Sequence, residues 1–171
     1  MLKVDLSALE RKGAIPVEGE ISEDDSLWKG TELRFRTPVR VKALVSTVAT
    51  GEVVVRGTVE TVLAQTCRRC LRELSCPFKE EVTLVYAATD ELGDEDEAGE
   101  ARPLPLEARD LDLGETLREE LILGVPAYAL CRPDCAGLCP RCGIDRNEEE
   151  CDCTLEEPDP RWAALRTLKE D

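Results

Sequence analysis

The sequence predicts an α+β fold, in which one helix packs on an antiparallel sheet that could close into a barrel-like form. Three observations predict it. Apolar and polar residues alternate over much of 39–86, leucines recur at helical spacing over 113–121, and six cysteines crowd into 131–153. Alternation is typical of half-buried strands, and an i, i+4 recurrence is typical of an amphipathic helix.

Three central segments carry the strand pattern. Val39–Val45, Val53–Leu63 and Phe78–Tyr86 place valines and other apolar side chains on one face and polar ones on the other. Because the links between them are short, they are expected to form an antiparallel meander. Residues 1–9 could form a first strand or an edge segment. Residues 12–30 mix glycine, proline and acids, so they are expected to be irregular with short ordered pieces.

Two further elements and an acidic segment complete the organisation. Residues 90–100 hold seven acids in eleven positions, which favours a solvated loop over an acidic recognition segment. Leu113, Leu117 and Leu121 then define a helix that would cover the sheet. The predicted boundaries are an α+β core domain over 1–126, a cysteine-rich zinc-binding module over 127–157 and a C-terminal helix over 158–171.

Composition excludes several classes of function. The net charge of −15 disfavours non-specific duplex binding and suits a basic protein partner, although it could also serve solubility alone. The chain has no histidine, which removes Ser-His-Asp and Cys-His catalysis. It has no run of apolar residues long enough for a membrane helix and no apolar signal core at its start, so a cytoplasmic location is expected. No nucleotide-binding motif or small-molecule site is recognisable.

Nine cysteines are many for a chain in a reducing compartment, where close pairs indicate metal ligands or redox groups. A two-residue spacer lets a tight turn direct two thiolates at one tetrahedral ion. The segment 131–153 has almost no apolar side chains, so metal cross-linking is the expected source of its order. The sequence therefore predicts structural zinc, with these candidate ligands: Cys131, Cys135, Cys139, Cys142, Cys151 and Cys153.

The choice of ligands stays open at this point. Cys139 and Cys142 are the firmest pair, and either 151/153 or 131/135 could complete their site; all six cysteines could also share two ions. Cys67 and Cys70 could form a second metal knuckle or join the C-terminal cysteines in space. Their flanking arginines would lower thiolate pKa, so a thiol redox pair is an alternative. Cys76 is interpreted as a half-buried apolar residue.

Several motifs occur together in a characteristic order. CRRCL at 67–71 is followed by EELILGVP at 119–126, GLCPRCG at 137–143 and DPRWAALRTLK at 159–169. In this combination the chain resembles the YceD family of bacterial proteins, which is associated with accumulation of 23S ribosomal RNA.

The resemblance implies a non-catalytic ribosome-biogenesis factor that supports synthesis, processing or stability of 23S rRNA. Its expected partner is a large-subunit ribosomal protein or a pre-ribosomal particle. Direct RNA contact is left open; its candidates are the arginines of the hairpin tip and of the cysteine module, namely Arg68, Arg69, Arg72, Arg132, Arg141 and Arg146. The alternatives are a redox or metal-responsive switch at Cys67 and Cys70 and, less favoured, a metal-dependent nuclease.

Overall fold

The structure is a computed structural model that describes residues 2–88, 101–105 and 107–153. It confirms the α+β class. The strands are β1 (Lys3–Asp5), β2 (Ala14–Ile21), β3 (Val39–Thr47), β4 (Val53–Thr66), β5 (Glu73–Ala88), β6 (Arg102–Leu104) and β7 (Asp110–Asp112), and the α-helices are α1 (Leu6–Lys12) and α2 (Gly114–Gly124). The acidic segment 90–100 and the predicted C-terminal helix 158–171 lie outside the described residues.

The main sheet has the strand order β2-β3-β4-β5-β6. Strands β2 to β5 are consecutive antiparallel neighbours, which confirms the predicted meander of β3, β4 and β5. Strand β6 pairs in parallel with β5 over only three residues. A barrel would need β2 to pair with β6, and the described part of the chain shows no such pairing. The barrel-like form was therefore a wrong expectation, because β2 and β6 are the two edge strands of an open sheet and do not pair with each other.

Strand β2 corrects the expectation of an irregular segment at 12–30. It pairs with β3 from Ala14 opposite Ser46 to Ile21 opposite Val39. Its residues do alternate between the two faces, but Pro16 and Gly19 are unfavourable in strands, which weakens the strand prediction from the sequence. Proline is tolerated here because β2 is an edge strand, whose outward N–H groups need no partner in the sheet.

Helix α2 packs its leucine stripe into the core, as predicted. Leu113, Leu117 and Leu121 are at most 1% exposed and belong to one apolar cluster with the valines of β3 and β4. The hydroxyl of Tyr86 on β5 lies 2.9 Å from that of Thr116 on α2. This buried hydrogen bond satisfies two polar groups that would otherwise be costly beneath the helix. None of the described helices is long and apolar enough to cross a membrane.

The chain divides into two compact units. The sheet unit comprises residues up to Thr66 together with Glu73–Ala129 and holds the whole apolar cluster. The cysteine unit comprises Cys67–Arg72, the turn between β4 and β5, together with the described residues from 130 to 153. The buried side chains described in the cysteine unit are all thiols, those of Cys67, Cys70, Cys135 and Cys139. A unit without an apolar core needs another source of stability.

Candidate metal centres

The first cysteine pair lies on the tight turn that follows β4. The amide of Leu71 donates to the carbonyl of Cys67 at 2.9 Å, and the amide of Cys67 donates to the carbonyl of Arg72 at 2.8 Å. Leu71, the residue after Cys70, has φ of 58°, which is the left-handed region. These bonds close the backbone into a knuckle that places both thiols on the same side of the turn.

The second cysteine pair, Cys139 and Cys142, lies on a turn with the same hydrogen bonds. Gly143 donates to the carbonyl of Cys139 at 2.9 Å, and Cys139 donates to the carbonyl of Ile144 at 2.8 Å. Gly143 follows the second cysteine and has φ of 76°, so it occupies the position of Leu71 in the first turn. Two turns with matching backbone geometry indicate matching roles for the two pairs.

The first turn contributes to a four-thiol group, which we call the inner cluster: Cys67, Cys70, Cys131 and Cys135. Its four sulfurs all lie within 4.8 Å of one another. The sulfurs of Cys67 and Cys135 are 3.9 Å apart, and those of Cys70 and Cys131 are 3.7 Å apart. A disulfide would require about 2.05 Å. A tetrahedral ion bound at about 2.3 Å spaces its sulfurs by about 3.8 Å, so the inner cluster fits a metal ion.

The second turn contributes to the outer cluster, which comprises Cys139, Cys142, Cys151 and Cys153. These sulfurs also lie within 4.8 Å of one another. Cys142 is exposed, and an open cleft of about 380 Å³ is lined in part by the other three. The inner cluster is more enclosed, since three of its thiols are buried. The two groups thus offer the same donor set at different depths.

The inner thiols cannot all ionise at neutral pH without a cation. Backbone hydrogen bonds from Cys70 and then Cys131 lower the pKa of the Cys67 thiol to about 6. Burial, followed by the thiols of Cys135 and Cys70, raises the pKa of Cys131 to about 12. Against the effect of burial, the backbone of Gly137 and the side chain of Asn147 also lower the pKa of Cys135, whereas the pKa of Cys70 is raised. Thiolates are thus favoured at Cys67 and Cys135, and their negative charge disfavours ionisation of the two other thiols. A divalent cation would remove that penalty and allow four thiolates.

The outer cluster also combines lowered and raised thiol pKa values. Backbone hydrogen bonds from Cys142 and Arg141 lower the pKa of Cys139 to about 6. The side chain of Cys142, followed by burial, raises the pKa of Cys153 to about 12. The chemistry of both donor sets, four sulfurs and no carboxylate or water position, is that of a closed tetrahedral site.

Asn147 supports the inner cluster, a role that no sequence motif indicates. Its side-chain amide lies 3.4 Å from the sulfur of Cys135 and is placed to donate to it. Its side-chain oxygen accepts from the amide of Ala136 at 2.8 Å and from Arg132 at 2.7 Å. Such outer partners orient metal ligands. Asn147 lies in the polar run DRNEEE, where the local pattern carries no signal for this role.

The arginines of the hairpin tip make contacts within the cysteine unit. Arg69 donates to the carbonyls of Cys135 at 2.9 Å and Pro133 at 3.2 Å. Arg72 pairs with Glu148 and lies 3.6 Å from a carboxylate oxygen of Asp145. These two arginines therefore stabilise the loops around the inner cluster. Their donors are engaged within the cysteine unit, which leaves fewer of them for phosphate contacts.

The cysteines that the sequence singled out are thus brought together in two sets. Cys139 and Cys142 lie with 151 and 153 in the outer cluster. Cys131 and Cys135 lie with 67 and 70 in the inner cluster. Cys76 lies apart from both clusters and packs partly buried against the apolar cluster, as expected.

The part of the chain that matches known proteins includes both cysteine clusters. The family model described as "Large ribosomal RNA subunit accumulation protein YceD" matches residues 55–169, which include every cysteine of both clusters and helix α2. An uncharacterized protein of Mycobacterium bovis is 36% identical over 117 residues, covering 66% of this chain and 54% of that protein. A protein of Mycobacterium tuberculosis matches to the same extent.

A plant protein also matches a shorter part of the chain. The "Large ribosomal RNA subunit accumulation protein YCED homolog 1, chloroplastic" of Arabidopsis thaliana is 33% identical over 66 residues, covering 39% of this chain and 21% of that protein. The chain spans about half the length of the mycobacterial relatives it matches. No solved structure matches it. Because the family model covers more than half of the chain, the chain belongs to the YceD family.

Proposed function

We propose that the chain is a non-catalytic factor that supports 23S rRNA and assembly of the large ribosomal subunit. The family match over residues 55–169 carries this proposal, since it covers the sheet from β4 onwards, helix α2 and both cysteine clusters. The name of the Arabidopsis relative points to the same role.

We further propose that each cluster holds one structural zinc ion. Zinc is the metal that most often takes four thiolates in tetrahedral geometry, and such structural sites are closed. The observed sulfur separations of 3.7 and 3.9 Å support this assignment for the inner cluster. The outer cluster has the same turn and the same donor set. Four protein ligands leave no position for a reactive water, so neither site supports hydrolysis or nuclease chemistry.

The thiol redox alternative finds less support. Cys67 and Cys70 are buried and share their surroundings with two further thiols, whereas a redox pair needs an accessible attacking thiolate. The turn that carries them also matches the turn of Cys139 and Cys142. We therefore favour a metal knuckle at both pairs over a switch at the first.

A protein partner suits the surface better than bare RNA. The net charge is −15, which opposes approach to a phosphate backbone. Arg69 and Arg72 are engaged by carbonyls and carboxylates of the cysteine unit. We propose a large-subunit ribosomal protein or a pre-ribosomal particle as the partner.

Depletion of the protein in its own organism tests the proposed function. The ratio of 23S to 16S rRNA is expected to fall on depletion, because 23S rRNA that is not assembled into subunits is degraded. Expression of the wild-type chain should restore the ratio, and the 16S rRNA of the same cells is the internal control. An unchanged ratio in fully depleted cells, measured on total RNA, would contradict the proposal.

A further inference from the structure

Three large apolar side chains are exposed within seven positions, at the end of helix α2 and just after it. Ile122 is 45% exposed, Leu123 is 79% exposed and Tyr128 is 66% exposed. We call these three residues the apolar surface of the sheet unit. Single exposed apolar residues are ordinary on protein surfaces, whereas three within seven positions are a local concentration of exposed apolar area. Such patches on a folded protein mark interaction sites or aggregation liabilities.

The core does not need these side chains. Leu117 and Leu121 already fill the buried face of the helix. The helix ends where the amide of Val125 donates to the carbonyl of Leu121 at 3.0 Å. The next residue, Pro126, accepts a hydrogen bond of 3.0 Å from the side chain of Gln65 on β4. The backbone that carries the apolar surface is therefore held in place, which lowers the entropic cost of binding.

An open polar cleft lies beside this segment in the sheet unit. The cleft has a volume of about 570 Å³, and Ala127 and Ala129, on either side of Tyr128 in the chain, are part of its lining. Two acidic and two basic side chains line it as well, namely Glu32, Glu73, Arg34 and Arg36. An apolar centre with a polar border is the usual composition of a protein-binding surface.

The charged side chains near the apolar surface indicate which kind of partner it could bind. Glu119 and Glu120 lie one turn before Leu123 on the helix, and the carboxylate of Glu80 lies 3.6 Å from where a Cβ on Gly124 would stand. Arg102 pairs with both Glu119 and Glu120 and is the counter-charge that the described contacts give them. Three carboxylates against one guanidinium make the helix side of this surface acidic, on a chain whose net charge is −15, whereas the charges of the cleft balance.

These observations favour one occupant over two others. A second copy of the chain would bring the same net charge of −15, which opposes association. RNA would meet carboxylates and apolar side chains where phosphate contacts need cations. A basic polypeptide with apolar side chains would match both the charge and the apolar surface.

We propose that Ile122, Leu123 and Tyr128 form the docking surface for a basic polypeptide segment of the pre-ribosomal particle, which contacts them through apolar side chains while its cations face the neighbouring glutamates. This inference rests on the proposed function for the identity of the particle. The surface itself follows from exposure, backbone anchoring and charge.

Binding of purified large-subunit ribosomal proteins, tested one by one against the full chain by fluorescence anisotropy, is the direct test. The variant Ile122→Gln/Leu123→Gln removes the apolar contacts and keeps residues that favour helix. The matched control is Leu44→Gln, which makes the same change at a leucine of β3 that is 50% exposed and lies outside the apolar surface. We expect at least one basic protein to bind the wild-type chain, and its affinity to fall about tenfold or more in the double variant but not in the control.

The remaining outcomes all count against the proposal. Equal affinity for the wild-type chain and the double variant would overturn it, as would the absence of binding to any protein of the panel. Binding of a 23S rRNA transcript that the double variant weakens would assign the surface to RNA, and self-association lost in the variant would assign it to a second copy. In depleted cells, a double variant that restores 23S rRNA fully would overturn the docking surface and leave the proposed function standing.

Discussion

At the scale of single residues, one backbone position distinguishes the two cysteine turns. Leu71 and Gly143 both follow the second cysteine of a pair and both have positive φ, 58° and 76°. Glycine adopts this region freely, whereas a side chain with a Cβ costs about 1–2 kcal/mol there. Leu71 is 62% exposed, so little of this cost is repaid by burial. The first turn is therefore strained where the second is relaxed.

Leu71→Gly is expected to stabilise the first turn, and Leu71→Ala is the matched control because it removes the same side chain and keeps the Cβ. The expected difference between the two variants is about 1 kcal/mol in favour of glycine. Hydrogen exchange of the amides of residues 67 and 71, which are bonded across the turn, measures it. Equal protection in both variants would show that Leu71 carries no backbone strain.

At the scale of elements, helix α2 has two apolar faces with different roles. Leu117 is 1% exposed and lies in the core, whereas Leu123 is 79% exposed. Both positions belong to the same helix and carry the same residue type, so helical propensity does not distinguish them. Any difference between their substitutions must come from burial.

Leu117→Ala is therefore expected to lower the free energy of unfolding by about 2–5 kcal/mol, because it leaves a cavity against the sheet. Leu123→Ala should change it by less than about 0.5 kcal/mol. Urea denaturation followed by circular dichroism measures both values. A large loss from Leu123→Ala would contradict the separation of a structural from a docking face.

At the scale of the whole molecule, the two units have different sources of stability. The sheet unit contains the apolar cluster, and the cysteine unit, over its described residues, buries four thiols and no aliphatic or aromatic side chain. The buried area that stabilises a sheet is absent from the cysteine unit, so the proposed ions would supply its folding free energy.

Elemental analysis of the purified, reduced chain is expected to give two zinc ions per chain. Removal of zinc by a strong chelator should abolish hydrogen-exchange protection at the amides of Leu138 and Gly143, which are bonded within the cysteine unit. Amides of β3 and β4 should keep theirs, because apolar burial stabilises them independently of metal. Cys76→Ser, outside both clusters, should still bind two ions, whereas Cys142→Ser should bind one. A metal content near zero would contradict both sites.

Much of the sheet unit could be predicted from local patterns. The alternation in β3, β4 and β5 and the leucine stripe of α2 are visible because each side chain's burial follows its position along the element. Strand β2 was missed because Pro16 and Gly19 weaken its pattern, and only its pairing with β3 identifies it as a strand. The open form of the sheet depends on which strands pair, and no local pattern specifies the pairing of distant strands.

The assignment of cysteines to the two clusters depends partly on the sequence and partly on the tertiary structure. The sequence alone determined the CxxC turns and the firm pair Cys139–Cys142, because a two-residue spacer constrains the backbone locally. Only the tertiary structure joined 67/70 to 131/135, since these thiols meet across separations of 61 and 68 residues. The spacing of cysteines predicts only which thiols are close along the chain. A four-thiol site also depends on where the β4–β5 turn and the later loop meet in space.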